Sequence, residues 1–156
     1  MTTASSSAGG DCTGCTACCR IMGVRELDKA PNIACRHCIA GVGCREYDAR
    51  PASCRTFRCV WLQTQDTAAP LAPALRPDRS RVVMNTADAG ETIVLNVAPD
   101  RREAWRQGAM GERVARMLRD RVKVLLKCGE RVQPVPPPDA RAALTAVAPA
   151  PIVAGS

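Results

Sequence analysis

The sequence predicts a small α+β protein in which an irregular cysteine-rich module packs with a β-hairpin and a long amphipathic helix. Three observations favour this fold class. Nine of the ten cysteines lie within residues 12–59, two β-rich runs separated by a short turn sequence follow, and apolar residues at helical spacing come after them. With 156 residues, the chain has room for one domain, or for a small domain with an appendage.

Composition divides the chain into five segments, of which the central ones are expected to form one compact unit. The segments are a disordered N-terminus (1–10), a cysteine module (11–64), a Pro/Ala-rich connector (65–79), a β-hairpin with helices packed on the module (80–132) and a Pro/Ala-rich flexible tail (133–156). The cysteine module itself is predicted to consist of loops and short helices.

The segment after the connector begins with a predicted hairpin. The runs SRVVMNT (80–86) and ETIVLNV (91–97) are rich in β-branched residues, and ADAG (87–90) between them is typical of a hairpin loop. Alternation along the second run places three apolar side chains on one face of that strand, namely Ile93, Leu95 and Val97.

Two helices are predicted after the hairpin. Asp100 is the expected N-cap of the first, with Glu103 completing a capping box. The second is expected over residues 110–127 and is expected to end at Gly129. Its apolar stripe comprises Met110, Val114, Met117, Leu118, Val122 and Leu125.

The composition argues against a large apolar core. Hydrophobic residues make up 46% of the chain, but this figure includes the ten cysteines, and the aromatic residues are two Trp, one Tyr and one Phe. A fold with so few large apolar side chains needs a source of stability other than hydrophobic burial.

Cysteine usage points to metal rather than disulfides. The first ten residues, MTTASSSAGG, have neither the basic start nor the apolar stretch of a secretory signal. No run approaches the roughly 18 apolar residues of a membrane span. We therefore expect a cytoplasmic protein without a membrane partner, and in a reducing compartment dense cysteines are more often metal ligands than disulfides.

The spacing of the cysteines is that of thiolate knuckles. The C-x-x-C spacing joins Cys12 to Cys15, Cys15 to Cys18, and Cys35 to Cys38. In such a turn two sulfurs can converge on one metal ion, which holds them as thiolates at neutral pH. The predicted metal ligands are Cys12, Cys15, Cys18, Cys19, Cys35, Cys38, Cys44, Cys54 and Cys59.

Several assignments within this set stay open. The first three cysteines match the start of a bacterial ferredoxin run, but the fourth cysteine followed by proline is absent. Adjacent side chains usually diverge, so Cys18 and Cys19 are expected to serve different metals, or one binds while the other packs or stays free. A disulfide scaffold and a set of redox-active or merely buried thiols are the alternatives to metal.

Two further residues are set apart from the ligand set. His37 is the only histidine and lies inside C-R-H-C, where its backbone belongs to the knuckle, so a Cys₃His site is the less favoured interpretation. Cys128 lies far from the other cysteines in sequence and is interpreted as a core residue. No Ser-His-Asp set, H-E-x-x-H motif or phosphate-binding glycine loop occurs, so no catalytic constellation is identified.

Two motifs resemble a known family. The stretch CTGCTACC (12–19), followed by GCREYDARPASCRTFRC (43–59), is similar to the YkgJ-type cysteine-cluster family with its CxxCxxCC signature. The resemblance covers roughly residues 11–62. The second motif supplies Cys44, Tyr47, Arg50, Pro51, Cys54 and Arg55.

The resemblance implies a zinc- or iron-chelating domain. Carried over by position, its ligands are Cys12, Cys15, Cys18, Cys19, Cys35, Cys44 and Cys54, with Cys59 present in those members that continue C-R-x-F-x-C. Cys38 departs from the pattern, which usually has an apolar residue there. Some relatives are associated with flagellin lysine methylation and with iron–sulfur binding, but neither activity transfers on the motif alone.

The second motif also predicts local structure beside the ligands. Pro51 is expected to begin a short helix that carries Cys54. Tyr47 is expected to anchor the preceding turn, and Arg50 and Arg55 can donate hydrogen bonds to thiolates or to backbone carbonyls. Phe57, Trp61 and Leu62 are expected to pack a small core there.

The predicted function is metal binding by a cysteine cluster, with zinc as the first choice of cofactor and iron or an iron–sulfur cluster as the second. One alternative is an iron–sulfur redox or electron-transfer protein, or an accessory to a modifying enzyme. Another is a zinc-ribbon-like adaptor for protein or nucleic acid. The formal charge of +7 permits a nucleic-acid partner, but the scarcity of aromatic stacking platforms argues against it. A protein partner is left unspecified.

Overall fold

The protein has an α+β fold, as the sequence predicts, in a computed structural model that describes residues 12–137. The predicted disordered segment 1–10 and the predicted flexible tail from residue 138 onward lie outside the described residues. Across residues 12–137, no helix has the length and apolar character needed to cross a membrane.

The helices are short except for the last one. The α-helices of the described chain are α1 (Ala17–Ile21), α2 (Ala52–Thr56), α3 (Val60–Thr64), α4 (Pro77–Ser80) and α5 (Gly108–Arg119). Single 3₁₀ turns cover Arg25–Leu27, Pro73–Leu75, Asp88–Gly90, Pro99–Arg101 and Ala104–Arg106.

The strands form two separate sheets. They are β1 (Cys38–Ile39), β2 (Gly43–Cys44), β3 (Val83–Ala87), β4 (Thr92–Val97), β5 (Lys123–Cys128) and β6 (Arg131–Pro134). The first two pair antiparallel as a small hairpin, and the other four form a sheet in the order β3-β4-β5-β6. The pairs β3–β4 and β5–β6 are antiparallel, whereas β4–β5 is parallel.

The predicted hairpin of residues 80–97 is confirmed. Met84 lies opposite Leu95 in the antiparallel pair, and the 3₁₀ turn at Asp88–Gly90 connects the strands. The expected apolar face also holds, since Leu95 and Val97 are fully buried. The opposite face of β4 is buried too, at Thr92 and Asn96.

Helix α5 forms the crossover between the parallel strands β4 and β5 and covers one face of the sheet. Its buried residues Met110, Val114, Met117 and Leu118 pack in one core with residues from the strands and with two tryptophans, Trp61 and Trp105. The Trp61 indole donates a hydrogen bond to the Ala72 carbonyl at 3.1 Å, so its polar atom is satisfied inside the core.

The predicted helix over 110–127 is wrong in its second half. The helix ends at Arg119, and residues 123–128 form β5 instead. From residue 122 onward the apolar side chains fit the alternation of a strand as well as a helical stripe. Pairing with the open edge of β4 satisfies the backbone groups of this segment and buries Val124 and Leu126. Val122 and Leu125 therefore leave the predicted stripe.

The chain reverses direction between α5 and β5 at a residue with left-handed backbone conformation, Arg121, whose φ is 62°. Gly129, expected to end the long helix, lies instead in the turn between β5 and β6, also with a positive φ of 61°. Glycine adopts this conformation without steric cost, which suits a two-residue hairpin turn.

The predicted capping box at Asp100 and Glu103 is also wrong. Ala98 precedes the first turn and Pro99 occupies its first position, so Asp100 already lies inside the 3₁₀ turn, where no side-chain cap is formed. Glu103 pairs instead with Arg106, at 3.2 Å.

The predicted flexible tail (133–156) begins too early. Gln133 and Pro134 belong to β6, and Val135, which is 6% exposed, donates its N–H to the Val124 carbonyl at 2.8 Å. The free edge of β5 supplies these contacts, which the Pro/Ala-rich composition did not reveal.

Candidate metal centre

The first cysteine knuckle is a tight turn that leads into α1. The N–H of Cys15 donates to the carbonyl of Cys12 at 2.9 Å, and Gly14 takes the left-handed conformation that this turn requires, with φ of 75°. Helix α1 then carries the adjacent pair Cys18 and Cys19.

The second knuckle has the same form and lies directly against α1. The N–H of Cys38 donates to the Cys35 carbonyl at 3.0 Å, and the N–H of Cys35 donates to the Cys19 carbonyl at 2.9 Å. This second bond joins the second knuckle to α1.

The small hairpin after the second knuckle aligns another cysteine. Cys38 lies opposite Cys44 in the antiparallel pair, next to the hydrogen bond from the Arg45 N–H to the His37 carbonyl, which measures 2.8 Å. The two cysteines therefore occupy a non-hydrogen-bonded position of the ladder, where opposing side chains are closest. The ring of His37 accepts a hydrogen bond from Arg36 at 3.2 Å.

Helix α2 is held next to this region by a carboxylate. Glu26 accepts hydrogen bonds from the N–H of Ser53, at 3.1 Å, and from its hydroxyl, at 2.8 Å. The pKa of Glu26 is lowered by its own backbone N–H first and by the two Ser53 donors next. Because Ser53 precedes Cys54, this contact places Cys54 beside the knuckles. The predicted short helix carrying Cys54 is thus present, beginning at Ala52.

Cysteines from three parts of the chain meet in what we call the thiol cluster. The Cys19 thiol lies in contact with those of Cys18 and Cys38. Cys35 and Cys54 are near enough for their charges to act on the same groups. The thiol cluster comprises Cys18, Cys19, Cys35, Cys38 and Cys54, all half-buried.

Burial and contact with other thiols raise the pKa values of Cys19, Cys38 and Cys54. The hydrogen bond to Cys18 is the largest cause of the raised pKa of Cys19, followed by burial. For Cys38 and Cys54, burial is the largest cause of the raised pKa, followed by the charge of Cys19. A thiolate in this cluster needs a neighbouring positive charge to form.

The hydroxyl of Thr16 hydrogen-bonds to the thiol cluster. Thr16, 7% exposed, precedes α1 at the position where a threonine usually caps the helix, yet its side chain makes no capping bond. Its oxygen accepts the N–H of Gly41 at 3.1 Å and donates to the sulfur of Cys38, which lowers the pKa of that thiol. Thr16 thus links α1 to the β1–β2 hairpin.

Lys29 is the residue of this site that sequence reasoning missed. It is 9% exposed, and its ammonium donates to the carbonyl of Met22 and, at 3.5 Å, to that of Ala30. Burial is the largest influence on its pKa and lowers it, while the charges of Cys35, Cys19, Cys18 and Cys54 oppose that shift. No spacing rule relates a lysine to cysteines, so the sequence carried no signal for this contact.

A second, smaller group pairs Cys15 with Cys59. Cys59 precedes α3, and the N–H groups of Trp61 and Leu62 face its sulfur, which lowers the pKa of the thiol. Burial, which is the larger cause, raises it, and the charge of Cys15 adds to that rise. The nine predicted ligands therefore divide between the thiol cluster, this pair, the exposed Cys12 and the hairpin residue Cys44.

The remaining predicted neighbours have other contacts. The Arg50 guanidinium lies 3.7 Å from the centre of the Tyr47 ring and donates to the Tyr47 carbonyl at 2.8 Å, so it binds backbone rather than sulfur. Trp61 belongs to the core under the sheet, and Leu62 packs partly buried against it. Cys128 also packs against that core, in line with its interpretation as a core residue.

The donor chemistry suits a soft metal, but the side chains do not form a closed ligand set. No three histidine, cysteine, aspartate or glutamate side chains between residues 12 and 137 are arranged to hold a metal ion. The thiols of Cys18, Cys19 and Cys38 instead contact one another. No disulfide joins any cysteines of this range.

Comparison with known proteins gives no assignment: no family model, no curated protein and no solved structure matches this chain. The resemblance to the YkgJ-type family therefore stays a prediction from the motifs.

Proposed function

We propose that the protein binds metal through cysteine thiolates of its N-terminal module, with zinc as the first choice and iron or an iron–sulfur cluster as the second. The observation that carries this proposal is that α1, the second knuckle and α2 bring their thiols together near the ammonium of Lys29, with the Cys35 N–H bonded to the Cys19 carbonyl. Thiolate sulfur is the ligand that these metals prefer in proteins.

The electrostatics of the thiol cluster support a cation. Without one, mutual contact and burial keep Cys19, Cys38 and Cys54 protonated, as their raised pKa values indicate. A divalent metal reverses this balance, because it stabilises several thiolates at once and releases their protons. A metal with four thiolates carries a net negative charge, which the Lys29 ammonium partly offsets. Binding requires the thiol side chains to rotate from their mutual hydrogen bonds toward the ion.

The poor apolar core of the module also supports a metal staple. Among residues 12–60, the buried apolar side chains are Ile21, at 9% exposure, and Val24, at 8%. The main core is formed by residues from Trp61 onward, with Cys59 and Val60 at its border. A segment of this length with two buried apolar side chains gains little from hydrophobic burial, so another source of stability is expected.

The test is the metal content of protein purified without oxygen. Elemental analysis with native mass spectrometry should find bound zinc or iron, and an iron–sulfur form would be brown, absorbing near ~400 nm. Cys19→Ser, at the centre of the thiol cluster, should lose metal. The matched control Cys128→Ser, which changes a cysteine packed on the sheet core, should retain it. A folded, metal-free protein would refute the proposal, as would equal metal content in Cys19→Ser and Cys128→Ser.

A further inference from the structure

A second candidate site lies in a cleft that no cysteine lines. The cleft has a volume of about 610 Å³ and lies between α4, the two 3₁₀ turns at Pro99–Arg101 and Ala104–Arg106, and the start of α5. Pockets for small ligands typically have volumes of ~300–1,000 Å³. The size of the cleft therefore suits a small molecule.

Unpaired arginines give the cleft its charge. It is lined by Arg79, Arg81, Arg101 and Arg102, against the two carboxylates of Asp100 and Glu103. Glu103 already pairs with Arg106 outside this set, at 3.2 Å. Within residues 12–137, the ion pairs involve Arg58, Arg76, Arg106 and Lys123, and none of the four lining arginines.

The four lining arginines are exposed, so solvent screens the repulsion between them. Their guanidinium groups stay charged at any physiological pH and carry donors only. An anion in the cleft is attracted by these charges and offers acceptors to their N–H groups.

The first residues of α5 line the same cleft. Gly108, Ala109 and Met110 line it, while the first backbone bond of the helix is the one from Gly111 to Gln107, at 2.9 Å. The side chain of Gln107 forms no cap, and no acidic residue occupies the first turn. Their N–H groups therefore lack the usual partners, and the positive end of the helix dipole adds to the field of the arginines.

We propose that this cleft binds a small phosphate-bearing ligand and recognises it through the phosphate group. Phosphate suits the site because planar guanidinium groups and unpaired backbone N–H donors are the groups that bind its oxygens in proteins. No aromatic side chain lines the cleft, so nothing there stacks on a nucleobase. The proposal is independent of the metal centre, since the two sites share no lining residue.

The test is a calorimetric titration of the full chain with pyrophosphate, with inorganic phosphate and citrate as further arms. We expect one pyrophosphate per chain, weaker binding of phosphate, and little binding of citrate, which is anionic but lacks phosphoryl oxygens. Arg79→Gln and Arg101→Gln should each weaken binding about tenfold, the loss expected for one charged hydrogen bond. The matched control is Arg119→Gln, the same charge change on an exposed residue at the other end of α5.

A second variant separates binding from folding. Gln107→Asp places a carboxylate at the exposed N-cap position of α5, where it favours the helix but repels an anion in the cleft. It should abolish pyrophosphate binding while leaving the melting temperature unchanged or higher. Metal content is measured before and after each titration, because release of metal to the anion would also produce heat. That heat would be the same in all variants.

Three results would overturn the proposal. The first is no saturable binding of pyrophosphate at millimolar concentration. The second is an equal loss of affinity in Arg119→Gln and Arg79→Gln, which would assign the binding to overall charge. The third is tight binding of single-stranded RNA that Gln107→Asp does not weaken, which would assign the arginines to a nucleic-acid surface elsewhere.

Discussion

Thr16→Val tests whether the Thr16 hydroxyl, which contacts the thiol cluster, supports both stability and metal binding. Valine has nearly the same shape as threonine, so the change removes the hydrogen bonds to Gly41 and Cys38 without opening a cavity. Gly41 is exposed, and water can replace its lost acceptor. The free energy of unfolding should therefore fall by about 1 kcal/mol, the low end for an unpaired donor.

The effect on metal binding should be larger. The Thr16 hydroxyl lowers the pKa of Cys38 by donating to its sulfur, so its loss favours the thiol over the thiolate that binds metal. Groups that hydrogen-bond to metal ligands typically contribute at least ~10-fold to affinity. Competition with a chromophoric chelator measures zinc affinity, and urea unfolding measures stability. Thr16→Ser keeps the hydroxyl and should behave as the wild type. If Thr16→Val and Thr16→Ser bind zinc equally, the assigned role of the hydroxyl is wrong.

Three further predictions concern the rest of the fold. Gly111→Ala should lower the melting temperature, although alanine usually favours a helix, because its Cβ would meet the Arg106 backbone; a rise would contradict this packing. Hydrogen bonding from Thr92 first, and the charge of Lys123 second, hold the pKa of Asp88 below its usual value of about 4. The resulting stability is present above that value and is lost as pH falls through the folded pKa. Thr92→Val should therefore reduce the loss of unfolding free energy between neutral and acid pH, and Asp88→Asn should remove the contribution of this carboxylate entirely. Metal chelation should expose residues 12–60 to protease while the sheet stays protected; uniform cleavage would show one cooperative unit.

Local patterns predicted those elements whose contacts lie close in sequence. The hairpin of β3 and β4 followed from alternation around a turn, and Leu95 was placed on its buried face. The knuckle turns followed from the C-x-x-C spacing, since a tight turn involves only its own four residues. The first half of α5 was equally visible, because Met110, Val114 and Met117 recur at helical spacing.

Elements that depend on distant partners were misjudged or missed. The sequence of residues 123–128 predicted a helix, because an apolar run of this kind fits both the helical and the strand period. The segment forms a strand because it pairs in parallel with the edge of β4. Asp100 does not cap a helix, because Pro99 occupies the first position of the turn and Asp100 lies inside it. Val135 packs in the core, where its N–H donates to the Val124 carbonyl.

By itself, the sequence determined that the chain is α+β and that its cysteines concentrate in one module. Only the tertiary structure decided which cysteines meet, that Lys29 lies among them, and that four arginines line one cleft. The physical reason is that spacing along the chain controls contacts within a turn or a helix, whereas the grouping of charges and thiols depends on how separate segments pack.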